Sequence, residues 1–261
     1  MFLRRYVEKK KEQLKGLNRG PFLEPPGPQK RDFYGLFRER FPKEVKIIAE
    51  AKFSSPAKGR LTDLGLADIL VRYRTGGADG ISIITEENYF CGSKSYIEEA
   101  RRLVELPILR KDFIVHPYEV YESRALGADC VLLIAEVLDR QELCDLVSAS
   151  REVGIDCLLE VHTMQSLEAV LSLGLFGEGS GLILGINNRD LETLRVDLSS
   201  GEALLRHVPD EIPVIVESGI ERREDIERFR RFGASGFLVG TALVRAGSPA
   251  EKLRELKGQC V

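Results

Sequence analysis

The chain has 261 residues, of which 43% are hydrophobic and 30% are charged, and its formal net charge is −3. This length suits one large α/β barrel or two small domains. The slight negative charge argues against a nucleic-acid surface, so local groups would have to hold an anionic ligand. Five cysteines without a CxxC pair indicate reduced thiols, not a disulfide or zinc framework.

Residues 1–45 differ from the rest of the chain. The segment "RRYVEKKKEQLKGL" predicts a surface helix, and the Pro/Gly-rich "NRGPFLEPPGPQKRDF" is a connector that cannot form one regular element. The N-terminus lacks the apolar core of a signal peptide, and no run approaches the ~18 apolar residues of a membrane span. We therefore expect a cytoplasmic protein without membrane contact, in which an N-terminal extension (1–45) packs on a main domain (46–261).

From residue 45 onward, short β-branched runs alternate with segments of helical period. The runs are "VKIIAEAK", "DGISIITE", "PILRKDF", "CVLLIAE", "CLLEVH", "GLILGINNR", "PVIVESGI" and "GFLVGTAL". Similar joints precede three of them, "GGADG", "LGADC" and "FGASG", and their glycines can end a helix in the left-handed conformation. Eight strand–helix pairs predict a (βα)8 TIM barrel with an N-terminal helical extension. A doubly wound sheet is the alternative, but no GxGxxG follows the first run.

Charged residues lie late in most of these runs, where the strands of a barrel bind ligands. In "PILRKDF" the strand period of two turns Lys111 inward together with Leu109. Arg110 and Asp112 then face the helical layer, where they can pair.

Four of these strand-end residues form an acid–base group, namely Glu50, Lys52, Lys111 and Glu160. Neighbouring, partly desolvated ammonium groups have lowered pKa values, and glutamates oppose that shift. Such a set can donate and accept protons near neutral pH. A structural ion network is the alternative, but each buried ion would then cost several kcal/mol without a function.

A second group of residues predicts a phosphate site. Ser218-Gly219 ends the seventh run and Gly240-Thr241 ends the eighth, and Thr241 can begin a short helix. Barrels commonly bind phosphate with these two loops and the N-terminus of an extra helix, where backbone N–H groups face the oxygens. The first loop, "SSPAKG", adds hydroxyls and Lys58.

Polar residues at the end of the sixth run suggest substrate recognition. Asn187 and Arg189 can hydrogen-bond a carboxylate or a sugar hydroxyl. For Asn188 and Asp190 we favour a structural role, in a turn that caps the next helix.

Aromatic and imidazole side chains are less informative. Phe90 and Phe113 can stack on an aromatic ring or simply pack in the core. His162 follows Glu160, but the histidines are scattered without metal-ligand spacing, so we expect a supporting role and no metal. A Schiff-base lysine at Lys52 or Lys111 stays open.

At these residues the chain resembles the indole-3-glycerol-phosphate synthase family of (βα)8 enzymes. The matching motifs are "IIAEAKFSSPAKG", "TEENYFCGS", "PILRKDFIV", "LLEVH", "GINNRDL", "VESGI" and "LVGTALVR", in order along the barrel. The resemblance implies ring closure of 1-(2-carboxyphenylamino)-1-deoxyribulose 5-phosphate, with loss of CO₂ and water, in tryptophan biosynthesis. It implies a small phosphosugar-anthranilate substrate and no cofactor. Association with other enzymes of that pathway stays open.

The resemblance also implies roles for individual residues. Lys111 would be the general acid on the ribulose carbonyl, and Lys52 and Glu160 would assist acid–base steps including dehydration. Glu50 and Asn187 would orient these groups. The remaining implied contacts are Arg189 and Ser218 for the substrate, Phe90 and Phe113 for the anthranilate, and Ser55, Gly219, Gly240 and Thr241 for the phosphate.

From the residues themselves, we expect Glu160 to act as an acid if burial raises its pKa. Two other functions remain as alternatives. One is another phosphosugar barrel such as phosphoribosylanthranilate isomerase, which is expected to lack the paired lysines. The other is a non-catalytic phosphometabolite-binding barrel.

Overall fold

The computed structural model describes residues 2–17, 28–55 and 59–259, and within these ranges eight parallel strands close into a barrel. The strands are β1 Ile47–Ala51, β2 Gly80–Ile84, β3 Ile108–Lys111, β4 Cys130–Ile134, β5 Asp156–Val161, β6 Leu182–Asn187, β7 Val214–Glu217 and β8 Gly236–Val239. Each strand pairs with its neighbours in the chain, and β8 returns to β1 with Phe237 opposite Ile47. All of the predicted runs form strands, so the (βα)8 barrel is confirmed.

Helices connect the strands and surround the barrel. Those described are α1 Phe2–Leu14, α2 Phe33–Phe37, α3 Leu66–Thr75, α4 Glu87–Phe90, α5 Ser95–Leu103, α6 Pro117–Leu126, α7 Arg140–Val153, α8 Met164–Leu171, α9 Leu198–Leu205, α10 Arg223–Arg230, α11 Thr241–Arg245 and α12 Pro249–Lys257. A hairpin of Ser54–Ser55 with Gly59–Arg60 follows β1. None of the helices in these ranges has the length and apolar character needed to cross a membrane.

The three similar joints before β2, β4 and β8 each form the same type of hydrogen bond. Their glycines Gly77, Gly127 and Gly233 adopt positive φ, as predicted for helix ends. The side chain of the residue just before each of these strands accepts a hydrogen bond from the first backbone amide of the strand that comes before it in the chain. These bonds are Ile47 N to Asp79 (2.8 Å), Ile108 N to Asp129 (2.8 Å) and Val214 N to Ser235 (3.0 Å). The joints therefore set the stagger of neighbouring strands at the amino-terminal end of the barrel.

Apolar side chains form one layer inside the barrel and another between strands and helices. The inner layer comprises Ile48, Leu109, Cys130, Leu132, Leu158, Ile183, Ile215 and Leu238. Phe33 and Phe37 of α2 join this layer and are fully buried. Phe37 fits because the first residue of β8 is glycine: a Cβ at Gly236 would lie 2.6 Å from the Phe37 ring. Helix α2 therefore closes the amino-terminal end of the barrel.

Helix α1 contacts the opposite, carboxyl-terminal end of the barrel. The ring of Tyr6 packs edge-on against Tyr89 and Phe113, with centroids 5.4 Å apart in both pairs. Lys10 Nζ donates to the carbonyl of Phe113 at 2.7 Å and lies 3.2 Å from Asp112 Oδ1. The predicted N-terminal helix is present, whereas residues 18–27 of the predicted connector lie outside the described part of the chain.

The charges inside "PILRKDF" separate as the strand period predicts. Arg110 is fully buried on the helical side of β3, and its Nη2 lies 3.2 Å from Asp112 Oδ2. Nη1 of the same guanidinium donates to Glu122 at 2.9 Å and to Ser123 Oγ at 3.0 Å. Arg110 and Asp112 are thus structural partners, and Lys111 between them is left to face the inside of the barrel.

Candidate active site

The carboxyl ends of the described strands surround a cavity of about 500 Å³. Most of the predicted site residues line it, namely Glu50, Lys52, Phe90, Lys111, Phe113, Glu160, Asn187, Arg189, Ser218, Gly219, Gly240 and Thr241. Apolar side chains complete the wall, among them Ile84, Leu132, Ile134, Leu191 and Leu238. The cavity therefore combines an apolar side that can hold an aromatic ring with a charged floor. The charged floor consists of Glu50, Lys52, Lys111, Glu160 and Glu217.

Lys111 lies at the centre of the charged groups. Its Nζ is 3.3 Å from Glu160 Oε2 and 3.5 Å from Glu217 Oε2, and its side chain is 19% exposed. Burial lowers the pKa of this ammonium, but the charges of Glu160, Glu217 and Glu50 outweigh burial and hold the pKa above its ordinary value. Lys111 thus carries a proton at neutral pH and points it into the cavity.

Glu160, at the end of β5, stays ionised. Burial raises the pKa of this carboxyl, but Lys111, the imidazole of His162 and the side chain of Asn187 together lower it below its ordinary value. The condition for Glu160 to act as an acid, a pKa raised by burial, is therefore not met, because the contributions of these three side chains outweigh burial. A carboxyl that is ionised at neutral pH is suited to accept a proton rather than to donate one.

Glu217, at the end of β7, has the opposite character. Burial and the nearby charge of Glu160 raise its pKa to about 8, although Lys111 lowers it in part. Space for this carboxyl depends on Gly185 of β6, since a Cβ there would lie 2.7 Å from Glu217 Oε1. Glu160 and Glu217 thus form a pair of carboxyls in which one is ionised and the other holds a proton.

Lys52 and Glu50 form the second part of the charged floor. Lys52 Nζ lies 3.4 Å from Glu50 Oε1 and 5.5 Å from the centre of the Phe90 ring. The buried hydroxyl of Tyr73, on α3, donates to the backbone carbonyl of Glu50 at 2.9 Å. On the other side, a Cβ at Gly240 would lie 2.5 Å from Glu50 Oε1, so β8 approaches Glu50 closely.

The predicted phosphate residues lie at one side of the cavity mouth. Ser218 and Gly219 adopt left-handed conformations, with φ of +63° and +80°, so the chain turns sharply after β7. A Cβ at Gly219 would lie 2.5 Å from Val196 Cγ1, so a side chain is excluded there. Gly240 precedes α11, which begins at Thr241 as predicted. Both loops thus place backbone atoms at the side of the cavity where the sequence predicts a bound phosphate.

The segment after β6 is only partly as predicted. Asn187 Oδ1 accepts from the amide of Arg189 at 3.0 Å, and the Asn187 side chain helps to lower the pKa of the Glu160 carboxyl. The expectation that Asn188 and Asp190 cap the next helix is wrong. Asp190 instead accepts hydrogen bonds from amides within its own turn. Asn188 donates two hydrogen bonds to backbone carbonyls at the end of β7, at 3.0 and 2.8 Å.

Helix α9 begins after another residue, Asp197, whose side chain accepts from the amide of Ser199. The carbonyls that Asn188 holds belong to Glu217 and Ser218. Asn188 therefore fixes the ends of β6 and β7 to each other, directly beneath the predicted phosphate turn.

Two predicted positions on the first loop are not described in the same detail. Ser55 lies in the short hairpin strand Ser54–Ser55, and its side chain is outside what the structure describes. Lys58 lies outside the described residues. A phosphate contact from either residue stays a prediction.

The model of one protein family, described as indole-3-glycerol phosphate synthase, matches residues 3–256 of this chain. The chain belongs to the indole-3-glycerol phosphate synthase family. Two relatives of that name support this. The one from Dehalococcoides mccartyi (strain CBDB1) is 44% identical over 218 residues, 82% of each chain. The one from Acetivibrio thermocellus is 40% identical over 227 residues, 87% of this chain and 84% of the relative.

Solved structures with low sequence identity show the same fold. A 3-hexulose-6-phosphate synthase from Salmonella typhimurium has a TM-score of 0.63 at 16% identity and covers 82% of this chain and 97% of its own. A tryptophan synthase α-subunit from Pyrococcus furiosus has a TM-score of 0.62 at 18% identity and covers 83% and 99%. At such low sequence identity, these similarities show only that the barrel fold is shared.

In this member of the indole-3-glycerol phosphate synthase family, sequence reasoning missed Glu217 as a site residue. The sequence did carry a signal, because Glu217 ends the run "PVIVESGI" in the way that Glu160 ends "CLLEVH". Within the described residues, no group of three or more His, Cys, Asp or Glu side chains is arranged to hold a metal ion.

Proposed function

We propose that the chain converts 1-(2-carboxyphenylamino)-1-deoxyribulose 5-phosphate into indole-3-glycerol phosphate, releasing CO₂ and water. The family match supports this reaction, and one observation in the structure carries it. A protonated Lys111 lies between an ionised Glu160 and a Glu217 of raised pKa on the floor of a cavity with an apolar wall. Ring closure needs such a donor, because charge builds on the carbonyl oxygen as the aromatic ring attacks its carbon.

In this proposal the substrate lies across the cavity. The anthranilate ring packs against Phe90 and Phe113, whose ring centroids are 6.5 Å apart. The phosphate lies at the turn of Ser218 and Gly219 and at the start of α11. This orientation brings the ribulose carbonyl over Lys111, with Arg189 near the carboxylate that leaves as CO₂.

The chemical steps use the charged floor. Lys111 gives its proton to the carbonyl oxygen as the new carbon–carbon bond forms, and loss of CO₂ then supplies the electrons of the ring double bond. Loss of the hydroxyl as water needs a proton donor, for which Lys52 is placed, and a base, for which ionised Glu160 is suited. Glu50 and Asn187 keep these two side chains in position.

The assay follows product formation by the fluorescence of its indole. The chain contains no tryptophan, so indole emission appears against the weak background of tyrosine alone. We expect emission to rise when the purified protein meets the carboxyphenylamino substrate and not when it meets phosphoribosylanthranilate. Turnover of phosphoribosylanthranilate instead would favour the isomerase, and tight binding without product would favour a sensor.

The same function implies a cytoplasmic enzyme that acts on a small molecule and not on nucleic acid. Fractionation of the cells of origin would test the location. Co-purification would test association with other enzymes of tryptophan biosynthesis.

A further inference from the structure

His162 lies directly behind the charged floor and has no place in the steps above. Its side chain is 4% exposed and does not line the cavity. The ring has two short contacts: Nε2 lies 2.7 Å from Glu160 Oε1, and Nδ1 lies 2.7 Å from the carbonyl oxygen of Arg189. The backbone amide of His162 donates to Glu136 Oε1 at 2.7 Å, which fixes the residue at the end of β5.

These two contacts determine where the protons of the ring are. A carbonyl oxygen can only accept, so Nδ1 carries a hydrogen and donates to Arg189. In a neutral ring Nε2 would then be bare and would face a carboxylate oxygen at 2.7 Å, with repulsion between two lone pairs. A proton must therefore lie between Nε2 and Glu160. The pair is either an imidazolium with a carboxylate or an imidazole with a carboxylic acid.

The other oxygen of Glu160 decides between these two forms. Oε2 is 3.3 Å from the ammonium of Lys111, which favours the carboxylate. The carboxyl groups that act electrostatically with the ring, beside Glu160, belong to Glu136, Glu217 and Asp190. Burial lowers the pKa of His162, but the hydrogen bond and charge of Glu160, the charge of Glu136 and the Arg189 carbonyl raise it to about 9.

We propose that His162 is a positioning residue that stays an imidazolium at neutral pH and holds Glu160 ionised, with Oε2 turned toward Lys111. Through Arg189 it also ties this carboxylate to the loop that contacts the substrate. His162 does not give up its proton in the reaction. When Glu160 accepts a proton from the substrate, the Nε2–H still donates to Oε1. The inference rests on the proposed function only for its kinetic consequence, not for the charge of the ring.

The charge of the ring can be measured without any activity. The chain has three histidines, so ¹⁵N NMR of histidine-labelled protein resolves few ring signals, and loss of one signal in His162→Gln assigns it. We expect both ring nitrogens of His162 to be protonated at pH 7 and to titrate near pH 9. A neutral ring for the assigned His162 signal at pH 7 in the folded wild-type protein overturns the proposal.

The kinetic test uses two partial replacements. His162→Gln keeps a neutral donor where Nε2 was, and His162→Asn keeps one where Nδ1 was. Both remove the positive charge, so the pKa of Glu160 rises and the acidic limb of the kcat profile moves to higher pH. Because a charged hydrogen bond contributes about 1.5–3 kcal/mol, we expect a shift of about one to two pH units in Asn and less in Gln.

His207→Gln is the matched control. His207 is exposed, its Nδ1 lies 2.8 Å from the carbonyl of Ala203 on α9, and it does not line the cavity. Its replacement should leave the profile unchanged. A folded His162→Asn variant whose acidic limb matches that of the wild type contradicts the proposal. A wild-type protein that forms no indole product would instead contradict the proposed function and leave the NMR result to decide the inference.

Discussion

The two ends of the barrel use buried charge in different ways. At the amino-terminal end, both oxygens of Asp129 lie 2.7 Å from Arg101 Nη1, and they also accept the backbone amides of Arg31 and Ile108. At the carboxyl-terminal end, Glu217 accepts no hydrogen bond from the described residues and shares the ammonium of Lys111 with Glu160. Asp129 is thus an ionised carboxylate with several donors, whereas Glu217 is a carboxyl whose burial and like-charged neighbour raise its pKa.

This difference separates buried carboxyl groups that stabilise the fold from those that can take part in proton transfer. A buried carboxylate with several donors holds the structure together, and its loss exposes unpaired partners. A carboxyl whose ionisation is unfavourable costs stability but can exchange a proton near neutral pH. We therefore expect changes at the amino-terminal end to act on unfolding, and changes at the carboxyl-terminal end to act mainly on turnover.

The largest effect is expected for Lys111→Met. Loss of the proton donor should lower kcat by roughly 10³-fold or more while the protein keeps its circular dichroism spectrum, since general-acid catalysis contributes about 10²–10⁴-fold. Lys46→Met is the control at the other end, where Lys46 lies 3.5 Å from Asp79. Near-normal turnover in Lys111→Met would remove this lysine from the mechanism.

The next effect is expected for Asp129→Ala. Removing one partner of a buried ion pair costs about 3–5 kcal/mol, so the free energy of unfolding in urea should fall by that amount. The kcat of the folded fraction should stay near that of the wild type. Asp210→Ala is the control, because the Asp210 side chain is 85% exposed and should change stability by less than about 0.5 kcal/mol. Equal destabilisation by both variants would contradict a special role for Asp129.

Glu217→Gln should separate stability from activity. The pKa of Glu217 is raised to about 8, so in the wild type this group contributes stability below its unfolded pKa and loses it as pH rises through about 8. The Gln variant lacks this loss and should gain several kcal/mol of stability over the wild type between pH 5 and pH 9. Its kcat should fall. A difference in stability that does not vary with pH would show that Glu217 is ionised throughout.

The smallest effect is expected for two neighbouring lysines of α1. Lys10 binds the carbonyl of Phe113, close to Lys111, whereas Lys11 binds the carbonyl of Val137, after β4, and the carboxylate of Glu142 in α7. Lys10→Met should lower kcat/KM by roughly tenfold, because small displacements of reacting groups are costly. Lys11→Met should have a weaker effect on the same ratio. Equal effects would assign α1 a purely structural role.

The sequence predicts the barrel well because its signals are local. The repeated joints contain a glycine that ends a helix and, at Asp79, Asp129 and Ser235, a side chain that accepts the first amide of the preceding strand. Charged residues at strand ends likewise predict which side chains meet, since parallel strands end at one face.

Electrostatics could not be predicted in the same way. Glu160 and Glu217 look alike in the sequence, yet one pKa is lowered and the other is raised. The difference depends on distances between residues on β3, β5 and β7, far apart in the chain. For the same reason the sequence did not show that Asn188 holds the end of β7 or that His162 has two acceptors for its ring.

The most direct test measures CO₂ release and indole emission together, in one reaction with the carboxyphenylamino substrate. The wild-type protein should release one CO₂ for each indole formed, and Lys111→Met should form neither at a comparable rate. CO₂ released without indole, or equal rates in the two proteins, would contradict the assignment of ring closure to the charged groups at the carboxyl end of the barrel.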